Sequence, residues 1–183
     1  MAKLYFRYGA MNCGKTTALL QTAHNYSESG QKAIIIKPAV DTKMKSCVTS
    51  RLGISREVDL LVGENDNLFK HFEENGQGLD CILVDEVQFL TVAQIEELYR
   101  VAVVLNIPVI CYGLRADFRM DGFPASSRLL ELAHSITEMK NVCACGKKAT
   151  CNLRLVNNDD SDFISYKAVC SECYERLKSS TNA

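Results

Sequence analysis

The chain has 183 residues, with 21 Lys and Arg against 22 Asp and Glu and a formal net charge of −1. That length allows one domain with a proper core, or one plus a small appendage, and the near-neutral balance excludes a broad basic face for nucleic acid, so the expected substrate is a small molecule. The N-terminus lacks a signal-peptide core and no apolar run approaches the roughly 18 residues needed to cross a bilayer, which gives the expectation of a cytoplasmic protein with no membrane partner, whose cysteines serve as core residues, metal ligands or thiols rather than disulfides.

The apolar run from Leu4 to Tyr8 reads as a strand, and the residues from Thr17 onward read as a helix. Between them stand Gly9, Ala10, Met11, Asn12, Cys13, Gly14, Lys15 and Thr16, the pattern G-x-x-x-x-G-K-[ST] in its proper strand-to-helix context. Glycines at both ends let consecutive N–H groups turn inward as an anion nest at the positive end of the helix. Lys15 is placed to reach the β- and γ-phosphates, and the Thr16 hydroxyl to coordinate magnesium. The chain is therefore expected to bind a nucleoside triphosphate.

The first helix is expected to run from Thr16 to about Ser29, with Gly30 as its stop. Residues 32–37 are continuous and β-branched, which predicts a fully buried strand of a parallel sheet ended by Pro38. Residues 39–56 are polar and aperiodic, and read either as a loop over the site or as a plain surface connection. A short helix carrying Leu68, Phe69 and Phe72 then ends near Gly76 and Gly78.

Residues 79–86 form an apolar strand finishing in Asp85 and Glu86. In a phosphate-loop fold the magnesium carboxylate is expected here, after the strand adjacent to the loop. Strand alternation predicts that the two carboxylates point different ways, one toward the metal and one toward the acceptor. Thr91 and Gln94 form a capping box for a third helix, whose apolar face is Val92, Ile95, Leu98, Ala102 and Leu105. Residues 108–113 read as another buried strand, followed by an irregular stretch over 114–124 at the carboxyl edge of the sheet, where open α/β folds place ligands. A short helix over 126–134 and a strand over 135–139 complete the core.

From Asn141 the composition changes. Cys143 and Cys145, then Cys170 and Cys173, offer four thiolates from two tight turns, the set that tetrahedral zinc requires, with Cys151 as an alternative to one of them. A closed four-thiolate shell points to a structural metal. The fold class is thus α/β: a phosphate-loop parallel sheet flanked by helices over residues 1–140, with a small zinc-ribbon-like part over 141–183.

Together these features resemble the zinc-containing type II thymidine kinases of bacteria, animals and poxviruses. The resemblance covers essentially the whole chain and rests on the phosphate loop, the run from Asp85 to Phe89, the run from Tyr112 to Phe118, and the late cysteine pairs. It implies transfer of the γ-phosphoryl of ATP to the 5′-hydroxyl of thymidine, or of deoxyuridine, giving dTMP for DNA synthesis by salvage. By that resemblance Glu86 is the general base, Asp85 and Thr16 serve magnesium, and residues 9–17, ending in Thr17, hold ATP. Asp41, Lys43 and Gln88 support the site, while Met11, Phe89, Leu114, Phe118, Phe123 and Tyr166 line the nucleoside pocket. It also implies a homotetramer with dTTP as feedback ligand. Two features depart from the family pattern. The lasso between the cysteine pairs is shorter and has no glycine from Arg154 to Tyr166, and Asp41-Thr-Lys43 replaces Asp-x-Arg. Those departures leave open a kinase with a shifted nucleoside preference or a nucleotide-binding module without catalysis.

Overall fold

The structure, a computed structural model, describes residues 1–40, 47–156 and 164–181. Asp41, Lys43 and lasso residues 157–163 lie outside the described residues. In chain order the elements are β1 (Leu4–Tyr8), α1 (Lys15–Glu28), β2 (Ala33–Pro38), β3 (Cys47–Thr49), β4 (Ser55–Glu57), β5 (Leu60–Val62), α2 (Leu68–Asn75) and β6 (Cys81–Val84). A 3-10 turn (Val87–Phe89) leads to α3 (Val92–Val103), β7 (Val109–Gly113), α4 (Pro124–Leu132), β8 (Ser135–Glu138), β9 (Cys151–Val156), β10 (Ile164–Val169) and α5 (Ser171–Thr181).

Six strands pair in the order β5-β2-β6-β7-β1-β8, and every pairing is parallel. The continuous apolar runs are explained by helices on both faces. Along β6, Ile82 and Val84 join the cluster packed with α2, α3 and α4, while Cys81 and Leu83 join the one packed with α1. The same alternation sends Leu4 and Phe6 of β1 to the first cluster and Tyr5 to the second.

Helix α3 starts as its sequence dictates: Gln94 N–H donates to the Thr91 hydroxyl and the Gln94 side chain accepts from Thr91 N–H. Its buried stripe is Gln94, Ile95, Leu98, Val101 and Ala102, whereas Val92 is 40% exposed, so the stripe is shifted from the one read off the apolar residues. Gln94 is buried because its amide donates across to the Gly63 carbonyl at 2.7 Å, a long-range contact that no local pattern announces.

One further expectation is corrected, and two stretches hold strands that the sequence did not announce. The carboxylate-bearing strand β6 is not adjacent to β1, because β7 lies between them and pairs with both. Of the stretch over 39–56, the described residues from Cys47 onward form the β3–β4 antiparallel hairpin, with Val48 buried against the α1 side of the sheet and Thr49, Arg51 and Leu52 lining the cavity at the phosphate loop. The edge strand β5, pairing with β2 over three residues, is too short to give a periodic signal.

The C-terminal segment has its own small core, built from Cys143, Ala149, Cys151, Leu153, Ala168, Val169, Cys170, Cys173 and Tyr174 and joined by Ala10 of the phosphate loop. Strands β9 and β10 pair antiparallel with Arg154 opposite Tyr166. Among the described residues no helix is long and apolar enough to cross a membrane.

Candidate active site

The loop after β1 turns through two left-handed residues, Asn12 at φ 64° and Gly14 at φ 84°. Gly14 is the N-cap of α1, so its backbone turns the following amides toward one concavity at the positive end of the helix. Gly9 is required for a different reason: a Cβ there would stand 2.4 Å from the Met139 carbonyl oxygen and 2.6 Å from Cys13 Sγ. Lys15, only 9% exposed, donates from Nζ to the carbonyls of Gly9 (3.1 Å) and Ala10 (2.9 Å). A cavity of about 860 Å³ opens here, lined by Asn12, Gly14, Lys15, Thr16 and Thr17 and, from the β3–β4 hairpin, by Thr49, Arg51 and Leu52. The hairpin thus reaches the loop cavity from the opposite wall.

Beside it lies a second cavity of about 590 Å³. Its lining includes Lys37, Asp85, Glu86, Gln88, Phe89, Leu114, Phe118, Phe123, Asn152 and Tyr166. Phe118 and Tyr166 stand 6.2 Å apart between ring centroids, and Phe89 and Phe123 stand 5.9 Å apart edge to face. Met11, Thr16, Thr49, Glu86 and Leu114 line both cavities, so Glu86 stands where the two meet.

The two carboxylates are separated by a turn and not by strand alternation. Strand β6 ends at Val84, and Glu86 takes a left-handed backbone with φ 49°. A non-glycine residue held there costs on the order of 1–3 kcal/mol, which the surroundings must offset. Gln88 contributes to that. Its Nε2 donates to Glu86 Oε2 at 2.5 Å while its Oε1 accepts from Leu114 N–H at 3.0 Å, so one buried amide ties the carboxylate to the next loop. Asp85 is buried, and burial together with the neighbouring Glu86 charge pushes its carboxyl up to about 7, opposed by Lys37 and Lys15. A divalent cation beside it favours the ionised form.

The four cysteines converge. The sulfurs of Cys143, Cys145, Cys170 and Cys173 all lie within 4.8 Å of one another, with Cys145 and Cys170 at 3.5 Å. A tetrahedral ion with bonds of about 2.3 Å to sulfur needs edges of about 3.8 Å, so the set fits a metal such as zinc after small adjustment. A tight turn at Gly146, whose N–H donates to the Cys143 carbonyl at 2.8 Å, makes the first knuckle from C-x-C. Backbone N–H groups of Cys145 and Cys170 lower the Cys143 thiol to about 6, whereas hydrogen bonds with neighbouring sulfurs raise Cys173 to about 12. Cys151 is not part of this group. It is buried in the hairpin core, with its sulfur near the hydroxyls of Thr150 and Ser171.

A family model described as thymidine kinase matches residues 2–174. The thymidine kinase of Legionella pneumophila (strain Paris) is 40% identical over 190 residues, covering 96% of this chain and 90% of that protein. The thymidine kinase of Mannheimia succiniciproducens is 45% identical over 167 residues, covering 90% and 84%. That of Enterobacteria phage T4 is 42% identical over 160 residues, covering 86% and 83%. The chain belongs to the thymidine kinase family.

In this family member the two cavities bring together Met11, Asn12, Gly14, Lys15, Thr16 and Thr17 of the expected phosphate-binding residues, both carboxylates, Gln88 and all six expected pocket residues, whereas Gly9, Ala10 and Cys13 line neither. Sequence reasoning missed Lys37, Asn152, Thr49 and Arg51, which also line the two cavities. Lys37 had one signal, a lysine closing a strand of buried aliphatics, and it is only 4% exposed. Asn152 had none, because a polar residue between Cys151 and Leu153 reads as the solvent side of a hairpin.

Proposed function

We propose that the chain transfers the γ-phosphoryl group of ATP to the 5′-hydroxyl of thymidine, yielding dTMP and ADP. The observation that carries this reading is Glu86 at the junction of the two cavities, facing both the phosphate loop and the aromatic slot. A carboxylate there can accept the proton of a hydroxyl presented from the aromatic side to a phosphoryl group presented from the loop side. The amides from Asn12 to Thr17 cradle the phosphates, with Lys15 leaving the Gly9 and Ala10 carbonyls to meet the β- and γ-oxygens. Thr16 and Asp85 would hold magnesium brought with ATP, which would supply charge neutralisation at the phosphate oxygens. Lys37 adds a second buried cation near Asp85. The hydroxyl oxygen bonds to phosphorus as the bond to the β-phosphate oxygen breaks, and the proton passes to Glu86, which Gln88 keeps aimed.

The aromatic slot accepts the planar base between Phe118, Tyr166, Phe89 and Phe123, with Met11 and Leu114 as its floor. A volume of about 590 Å³ suits a nucleoside. A zinc ion held by Cys143, Cys145, Cys170 and Cys173 would tie together the base of the β9–β10 hairpin, which carries Tyr166. Residues 1–140 then serve as the nucleotide-binding part and 141–183 as the acceptor-closing part. Asp41 and Lys43 support the ATP site, and a cytoplasmic homotetramer inhibited by dTTP follows from the family resemblance.

The test is phosphate transfer from labelled ATP to a panel of nucleosides, with magnesium and a Lys15→Ala control. Labelled dTMP that disappears in the control is the expected result. Equal labelling of thymidine and purine nucleosides would overturn thymidine as the acceptor.

A further inference from the structure

Among the described residues, four polar contacts cross from the cysteine-bearing segment to the loops after β1 and β7. Asn152 Oδ1 accepts from Met11 N–H at 2.7 Å, and Asn152 Nδ2 donates to the Ala116 carbonyl at 3.4 Å. Asn141 Nδ2 donates to the Met11 carbonyl at 2.9 Å, and the Tyr174 hydroxyl donates to the Phe118 carbonyl at 2.6 Å. Met11 is therefore held at both its N–H and its C=O by side-chain amides from outside the phosphate loop. Strand alternation explains the placement of Asn152: Cys151 and Leu153 enter the core of the hairpin, so Asn152 faces the other way, into the site. It is 6% exposed, and it lines the aromatic cavity but not the phosphate-loop cavity, whereas Met11 lines both.

We propose that Asn152 is a positioning residue for the nucleoside, acting through Met11. The inference rests on reading the aromatic cavity as the nucleoside site. Met11, in the loop after β1, and Leu114, Asp117 and Phe118, in the loop after β7, line that cavity together. A single carboxamide ties these two loops, accepting from the Met11 backbone and donating to the Ala116 backbone, and so fixes how they sit relative to each other at the slot. The chemistry needed is one acceptor and one donor on a short stem. Aspartate supplies the acceptor alone, and alanine supplies neither. With the clamp gone, Met11 N–H is a buried donor without a partner and the loop shifts to satisfy it. The phosphate nest, built from later amides around Gly14, keeps its own geometry.

The experiment compares steady-state kinetics of Asn152→Ala and Asn152→Asp with the unsubstituted protein, varying thymidine and ATP separately, alongside thermal melting. Asn152→Ala is expected to raise KM for thymidine about tenfold while KM for ATP changes less than about twofold. Asn152→Asp, which retains the acceptor toward Met11, is expected to raise KM for thymidine only about threefold. A merely structural role gives another result: kcat falls with the folded fraction, and neither KM moves. That outcome, or equal rises in both KM values, or an aspartate variant as impaired for thymidine as the alanine one, overturns the proposal. If the alanine variant does not fold, the aspartate variant decides by the same split. Absence of transfer by the unsubstituted protein overturns the kinase reading itself and is seen before any variant is compared.

Discussion

On the phosphate side, Lys15, Thr16 and Asp85 sit at the ends of elements embedded in a six-stranded parallel sheet with helices on both faces. On the acceptor side, Tyr166 and Asn152 sit on a two-stranded hairpin whose small core includes sulfur ligands. The first framework places its groups by extensive apolar burial, which is insensitive to any one contact. The second relies on four thiolates and a few buried hydrogen bonds, which is an all-or-none arrangement. On the proposed function, chemistry is thus mounted on the sheet-based half, and closure around the acceptor on the half whose four cysteines could hold a metal ion.

The sharpest test of this contrast is Glu86→Gln. It should lower kcat by about 10²- to 10⁴-fold and leave ATP binding and the melting temperature near those of the unsubstituted protein, since the group acts on a proton and not on the fold. Turnover above about a tenth of the original would remove Glu86 from the role of base. Cys170→Ser comes next. It should release bound metal, detected with a chromogenic zinc indicator, and cost several kcal/mol in the C-terminal segment while a fluorescent ATP analogue still binds the loop. Loss of ATP binding in parallel would break the comparison by showing that the halves do not fold apart.

Gln88→Ala should lower kcat about tenfold by freeing Glu86 and leaving Leu114 N–H unpaired, a penalty of about 1–3 kcal/mol. Unchanged kcat would show that the left-handed turn aims Glu86 unaided. For Asp85 the expected effect is on pH dependence. Burial raises its carboxyl from 3.8 to about 7, so the folded state binds the proton more tightly than the unfolded state. In the absence of magnesium, its destabilising charge is therefore fully present above about 7 and gone below 3.8. Melting curves of Asp85→Asn should lack that part of the gain seen as pH is lowered through this window, and identical slopes would discard the shift. The smallest effect is Thr91→Ala, which should cost about 1 kcal/mol through the lost cap of α3 with kinetics unchanged, as chemical denaturation would measure.

The parts legible in the sequence were those in which local rules and global fold agree. Residues 9–16 carry their own turn chemistry, Thr91 and Gln94 cap α3 as their spacing requires, and the buried strands read as continuous aliphatic runs. Pairing order was not legible, because nothing local tells β6 that β7 will separate it from β1. The β3–β4 hairpin was hidden by its polar composition, with Val48 as its one buried anchor. Asn152 and Gln94 show the same limit at the level of side chains: a buried amide is specified by partners more than 25 residues away, at separations of 141 and 31. The cysteine spacing announced four ligands, yet the exclusion of Cys151 depended on strand register, which turns its sulfur into the core.

The contacts of Lys15 have a consequence for how fast and at what cost a nucleotide can dock. Its ammonium is already drawn out of bulk water and held by the Gly9 and Ala10 carbonyls within the loop. An arriving phosphate exchanges places with two carbonyl dipoles and does not have to strip a hydration shell from a freely rotating side chain. On the proposed function, part of the ordering that binding would otherwise demand is completed when the chain folds, so Lys15 gives up two carbonyl contacts to reach ATP but has few rotamers left to lose.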